Sequence, residues 1–461
     1  MTKPAGSDAL DSIAVSAAES SRSINRETYL KHLLTQAAAA ADESGLPLKD
    51  VRDLAIALVG DRTFPTNRDE AWRFTDLSDL LSHSLQRAEP PTAQSSSQSD
   101  ISASLTSLDD VHQLVSINGY YARSISKKVP APGVTVAPLS QLLQKAEYKA
   151  QLEPILTERL ARVKGAEEVF TALNTAGFTD VMVVWVKADQ IVDTPICIVR
   201  EAEESSISHL RTLVIAERHA SLTLVETFTG SPEAADTIRC NTSVTELWLA
   251  EGAQVNHMRI QDESEHTFHI AKTAVDQATN SRYQCTAIDL GAQLSRHHLE
   301  VFQSGPQTDT HLYGLSALRD CQLSDTHSLL TLTYPHSGAT QIQKNIVDDK
   351  AHAVFNGRVF VSQEAQHTDA SQLNRNLMLS SKARIDTKPE LDIVADDVKC
   401  AHGATVSQLQ ADEVFYLQSR GISSEQAQRL LLYGFAMEIV EKISVAPLRQ
   451  ALSDRLTVWA S

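Results

Sequence analysis

Between about residues 178 and 409 the apolar residues of this chain recur with a period of two, whereas on either side they recur every three to four. That change constrains the fold more than any other feature. Alternate side chains of a strand point to opposite faces, while a helix gathers i, i+3 and i+4 on one. Met182–Val186 opens a series that runs through Ile196–Val199, Leu213–Ile215, Leu222–Val225, Leu247–Leu249, Val255–Ile260, His298–Phe302 and Val359–Val361. With few helical patterns between these strands, the region is all-β. A sandwich, a barrel and a β-solenoid all satisfy the pattern. Two features favour the solenoid. The run is long for one sandwich, and Asp309-Thr310-His311-Leu312 returns 16 residues later as Asp325-Thr326-His327-Ser328. Stacked coils leave open strand edges that must be capped or paired with another chain.

The flanks read differently. Residues 25–87 read as helical, with Tyr29, Leu33, Leu34 and Ala37, then Val51, Leu54, Ala55 and Leu58, at helical spacing. Pro90-Pro91 and Ser95-Ser96-Ser97 mark a linker at 88–107, and Asn118-Gly119 between Leu114-Val115 and Tyr120-Tyr121 is a type I′ hairpin signal. Helix returns over 138–173. After Leu409, Asp412 and Glu413 start a short helix that Gly421 ends, and Ser423 with Gln426 forms a capping box. The helix it opens, Leu430 to Ile443, is apolar almost all round, so it needs one face against its own chain and one against something else, or a place deep in its own domain. The expected organisation is a disordered tail at 1–24, an N-terminal helical region at 25–175, a β core at 176–409 and a C-terminal helical region at 410–461.

Composition narrows the function. Against 41 Lys+Arg stand 58 Asp+Glu, a formal charge of −17, which argues against nucleic acid as a partner. No apolar run spans a bilayer. Five cysteines, Cys197, Cys240, Cys285, Cys321 and Cys400, are too few and too dispersed for a disulfide framework. Asp8, Asp11 and Glu19 with no apolar run argue against a secretory signal. The expected compartment is the cytoplasm, where the Asn241-Thr242-Ser243 sequon carries little meaning.

Motifs of catalysis are missing. There is no Gly-Lys dipeptide and hence no phosphate loop, and no GxGxxG, HExxH, GxSxG or CxxC. Asp348-Asp349 and Asp396-Asp397 look like solvated turns. Histidine is concentrated, with 13 of 16 between His209 and His402. Strand geometry points His297 and His298 to opposite faces, which weakens that pair as a metal site, and His266 with His269 reads as solenoid faces and turns. Cys400-Ala401-His402 is a better candidate. On a strand, positions 400 and 402 share a face about 7 Å apart at their α-carbons. A thiol and an imidazole there suit a soft or borderline metal, although two ligands cannot complete four-coordinate iron or zinc and the rest must come from elsewhere.

The stretch Asp392–Val406 around that pair resembles the signature of the SufD branch of the SufB/SufD family of the SUF iron–sulfur assembly system. So do Phe415–Ile422, Phe355–Val361, Gln366–Ala370, Asn374–Leu379 and, near the N-terminus, Asn67–Leu77 with its Glu70-Ala71-Trp72-Arg73-Phe74-Thr75 core. The resemblance implies a right-handed parallel β-helix between helical ends and a non-catalytic scaffold. It implies a heterodimer with SufB through the β-helix edge and a complex with the ABC-type ATPase SufC. Cys400 and His402 would then lie at the subunit interface, holding a transient cluster rather than a stably bound cofactor. The ATPase would dock on the C-terminal helices around Phe415, Tyr416, Arg420, Leu431 and Phe435. A SufB-like scaffold is the nearest alternative, disfavoured because the first cysteine is Cys197. A homodimer that holds the cluster alone and a polysaccharide-active β-helix enzyme are further alternatives.

Overall fold

The computed structural model describes residues 25–91, 111–127, 131–202, 206–230 and 237–460. The expected tail at 1–24 and most of the Ser/Pro-rich linker lie outside these residues. The β core is a solenoid of about seven turns with two walls, one a ten-stranded sheet and the other a nine-stranded sheet. Successive strands of the chain alternate between walls, so each coil pairs in parallel with the coil before it. This is the parallel β-helix that the resemblance implied.

One corner of the coil explains its regularity. Asp189, His219, Gly252, Asn280, Gln307, His336 and His367 all take a left-handed backbone, with φ between 56° and 67°. Asp, Asn and His tolerate that conformation better than most residues. Each donates its backbone N–H to the carbonyl of the residue just before the matching corner one coil on, at 2.7–3.2 Å, ending at His367 on Asp397. These positions are 27 to 33 residues apart, which is the true coil length. The 16-residue similarity has another meaning: Asp309 and Asp325 begin equivalent stretches on opposite walls of one coil, and each stacks on a different residue, Gly338 and Val354.

Alternation along each strand separates an inner from an outer face. Inward residues such as Val184, Ile198, Val214, Leu224, Leu247, Val301 and Val359 form the central core. The outer faces are covered by helices. Against the nine-stranded wall lie α1 (Arg26–Glu43), α2 (Lys49–Gly60), α3 (Leu139–Leu142), α4 (Ala146–Arg159) and α5 (Val169–Gly177), with Leu30, Leu33, Phe64, Trp72 and Phe170 meeting Ile207, Phe268, Ile270 and Leu294. Against the ten-stranded wall lie α7 (Ser424–Val440) and α8 (Ala446–Trp459), preceded by α6 (Ala411–Gln418).

Two expectations change, and a third holds. Residues 61–87 are not helical beyond two single 3₁₀ turns, Glu70–Trp72 and Leu80–Ser82. Tertiary anchors replace local structure there: the Arg296 guanidinium lies 3.9 Å over Trp72, and Thr75 and Arg296 both bond the buried Asp325. The sheets also begin before residue 176. His112–Ile117 pairs with Ile196–Ala202 and turns back through Asn118 and Gly119, both at positive φ, onto Tyr120–Tyr121; Val134–Pro138 pairs antiparallel with Met182–Val186. These short strands close the first edges of the solenoid. Finally, Asn241 of the sequon is buried inside the solenoid, with its amide donating to Glu263, so no glycan fits there.

Candidate interface site

At the other end of the solenoid no strand among the described residues closes the sheets. Arg384–Ile393 and Lys399–Ser407 are the last strands of the two walls, and each has a strand neighbour on one side only. They are 10 and 9 residues long, and their outer backbone donors and acceptors form two long bare edges.

Cys400 and His402 sit on the second of these edges. Cys400 pairs with Ala370 and His402 with Gln372, and both of those partners are buried, inward-facing residues. Register therefore puts the thiol and the imidazole on the interior side, in the coil that has no coil above it. Cys400 is half-buried against the central core, whereas His402 is exposed. Burial pushes the Cys400 thiol above its ordinary value; Asp369 adds to this, and a hydrogen bond with the Ala370 backbone opposes it. The thiol is therefore held protonated until a cation or another positive group lowers it. Among the described residues no three His, Cys, Asp or Glu side chains are grouped to hold a metal ion. The two side chains offer one sulfur and one ring nitrogen on an uncovered edge.

Below this last coil the interior is polar along one side. Gln341 bonds Ser328 and accepts from Gln372, Asn345 donates to Asn376, and Thr387 donates to Asn374. Deeper still, Glu226 lies 3.1 Å from His257 and accepts from Thr212 and Thr245, with Arg200 nearby. Burial is the largest single influence and pushes the Glu226 carboxyl up, but the bond to and charge of His257, the Thr212 bond and the Arg200 charge together bring it down to about 2. His257 shows the reverse balance: burial pushes it down, while Cys285 and Glu226 raise it to about 9.

The other histidine candidates separate. His297 faces inward to Thr273, while His298 faces outward to Glu300, so the strand does split them. His269 is buried 2.8 Å from Glu263, and His266 lies at a turn.

The residues expected at the ATPase surface fall into two groups. α6 buries none of its residues; Phe415 and Tyr416 are 70% and 58% exposed, and the Arg420 guanidinium lies 5.3 Å from the Tyr416 ring centroid. Phe435 is engaged with its own solenoid. Lys344 lies 4.3 Å from its ring centroid and donates to its carbonyl and to Glu438, and the Arg375 guanidinium lies 5.9 Å from the same centroid. Leu431 is half-buried on α7, and Leu430 beside it is exposed. A groove of about 470 Å³ runs between α7, α8 and the last coils, lined by Met378, Leu379, Leu409, Leu432 and Trp459. Sequence reasoning passed over Gln372, Gln341, Glu226 and His257. Their signal was polarity at inward positions of alternating strands, which registers only once the strands are stacked.

Comparison with known proteins follows the same outline. The family described as "SUF system FeS cluster assembly, SufBD core domain" matches residues 198–435, and "SufBD protein N-terminal region" matches residues 24–198. An iron-sulfur cluster assembly SufBD family protein of Synechocystis is 41% identical over 92% of this chain and 95% of its own length. Protein ABCI7, chloroplastic, of Arabidopsis thaliana is 32% identical over 90% of this chain and 86% of its own length. The iron-sulfur cluster assembly protein SufD of Escherichia coli is 29% identical over 85% and 88%.

Proposed function

The chain belongs to the SufB/SufD family of the SUF iron–sulfur cluster assembly system, and from that premise we propose that it is a non-catalytic scaffold subunit working with the paralogue SufB and the ATPase SufC. The observation that carries this reading is the asymmetry of the solenoid: capped at its first coil, bare at its last, with Cys400 and His402 on the bare edge. An uncovered strand edge of that length is a pairing surface for another chain. A half-site of one thiolate and one imidazole becomes a cluster site only when a partner adds ligands. The nascent cluster is then cargo built at the seam, not a cofactor of this chain, and the compartment is the cytoplasm.

The C-terminal helices take the ATPase. Support comes from the exposed Phe415 and Tyr416 on a helix that buries nothing, next to Leu430. The sequence has no phosphate loop, so the energy of ATP must enter through a partner.

The test is a Cys400→Ala/His402→Ala variant expressed with the paralogue and the ATPase. The intact mass of the purified complex should be unchanged, while cluster-dependent enzyme activity in cells falls at least tenfold. Normal cluster supply in that variant overturns the role of the pair. A purified chain that appears only as a monomer or a homodimer, never with the paralogue, overturns the pairing.

A further inference from the structure

His402 stands in register over Gln372, whose buried carboxamide oxygen has no hydrogen-bond partner among the described residues. Gln372 is 2% exposed and stands in register with His402 one coil down. Its Nε2 donates to Gln341 Oε1 at 2.9 Å, and Gln341 is itself tied to Ser328, its Nε2 donating to the hydroxyl at 2.8 Å and its Oε1 accepting from it at 3.0 Å. That chain commits the Gln372 nitrogen to the preceding coil. The opposite wall holds it there: a Cβ at Gly357 would come within 2.3 Å of Gln372 Nε2, so only glycine leaves room for the amide. The oxygen, Oε1, is buried and accepts no hydrogen bond among the described residues. A buried acceptor without a donor is destabilising, and the residue in register one coil above Gln372 is His402, whose imidazole has no hydrogen-bond partner among the described residues.

We propose that Gln372 is the positioning residue of His402: when a partner covers the bare edge, the exposed ring turns onto the carboxamide oxygen, which accepts the N–H of one ring nitrogen and so directs the lone pair of the other outward. A ligating histidine is generally held in this way by a carbonyl or carboxylate behind it, which fixes both tautomer and ring orientation. Here the Ser328–Gln341–Gln372 chain gives the ring a rigid backing from three strands drawn from both walls of the solenoid. The inference rests on the functional reading above, because it gives the outward nitrogen a task. The bond itself can be observed without that reading.

The experiment uses the full chain, labelled with ¹⁵N-histidine, bound to unlabelled paralogue and ATPase. Solid-state ¹⁵N spectra resolve protonated from unprotonated ring nitrogens, and a His402→Gln sample assigns the signals. Recorded above the histidine titration range, the wild-type ring is expected in one tautomer. Gln372→Leu should restore the ordinary mixture of tautomers. Gln372→Glu keeps an acceptor and should retain the single tautomer. Gly357→Ala, which displaces the amide without removing it, should act like Gln372→Leu. Co-purification with the paralogue checks folding in each case. A mixed tautomer in the wild type, or a single tautomer that survives Gln372→Leu, overturns the positioning role and leaves the functional reading standing. A tautomer that responds as expected, in a protein whose Cys400→Ala/His402→Ala variant still supplies clusters, keeps the positioning role and removes the functional reading.

Discussion

Inside the solenoid, His257 and Glu226 make a buried ion pair bordered by Tyr283, Cys285, Arg200 and, further off, His297. The sign of its pH dependence follows from the two shifts. His257 is raised from 6.5 to about 9, so its contribution is fully present below 6.5 and is lost as pH rises through 9. Glu226 is lowered from 4.5 to about 2, so its contribution is present above 4.5 and is lost as pH falls toward 2. Melting temperature should therefore decline between neutral pH and pH 9, and His257→Gln should flatten that decline while lowering stability at neutral pH. A variant that melts like the wild type at every pH would mean that the imidazole is neutral throughout. Removing only Glu226 is expected to be worse, about 3–5 kcal/mol, because His257 and Arg200 then keep buried charge without the carboxylate. None of this was legible residue by residue. A polar side chain in a strand reads as solvent-facing until the second wall covers it, and the same ambiguity hid Gln372 beneath His402.

Helices were legible from their ends. The capping box expected at Ser423 and Gln426 is present, the Ser423 side chain accepting from the Gln426 backbone and Gln426 reaching back. Ser423→Ala should cost about 1 kcal/mol. Gly421 takes φ 88° just past α6, where a methyl group would touch nothing, so Gly421→Ala carries backbone strain alone, about 1 kcal/mol. Gly421→Ala is expected to loosen the end of α6 and Ser423→Ala the first turn of α7, to speed amide exchange over 411–422 and 423–427 respectively and to weaken ATPase capture; unaltered exchange there would show that these helices are held by packing rather than by their ends. The partners of α7 were not legible. Its sequence is apolar almost all round, and that pattern does not say which face its own chain takes. The structure assigns Leu432, Ala436, Ile439 and Val440 to the solenoid and α8, and Lys344 pins the far end through Phe435 and Glu438. Lys344→Met keeps the apolar stem and loses both bonds, so α7 should exchange faster while the coils beneath it are unaffected.

At the scale of the whole molecule the two ends of the solenoid differ. The first edges are shortened and turned back by a hairpin and an antiparallel strand, and the last edges run bare for nine and ten residues. A charge on such an edge opposes pairing with another chain without disturbing the coils behind it. Val406, 50% exposed on the final strand, is the position to use. Val406→Lys should leave melting unchanged and abolish co-purification with the paralogue; capture at wild-type levels would move the interface off this edge. Residue order alone determined the fold class, because a period of two sustained over some 230 residues admits only β structure, and it exposed the Cys400–His402 pair, because two positions apart on a strand means one face. It also carried the family signature. It did not determine the coil length, the early strands at 112 and 134, or which end stays open. Those depend on which strand stacks on which, a long-range choice made by the left-handed corners and the burial of inward faces. Alternation within a single strand has no means of recording it.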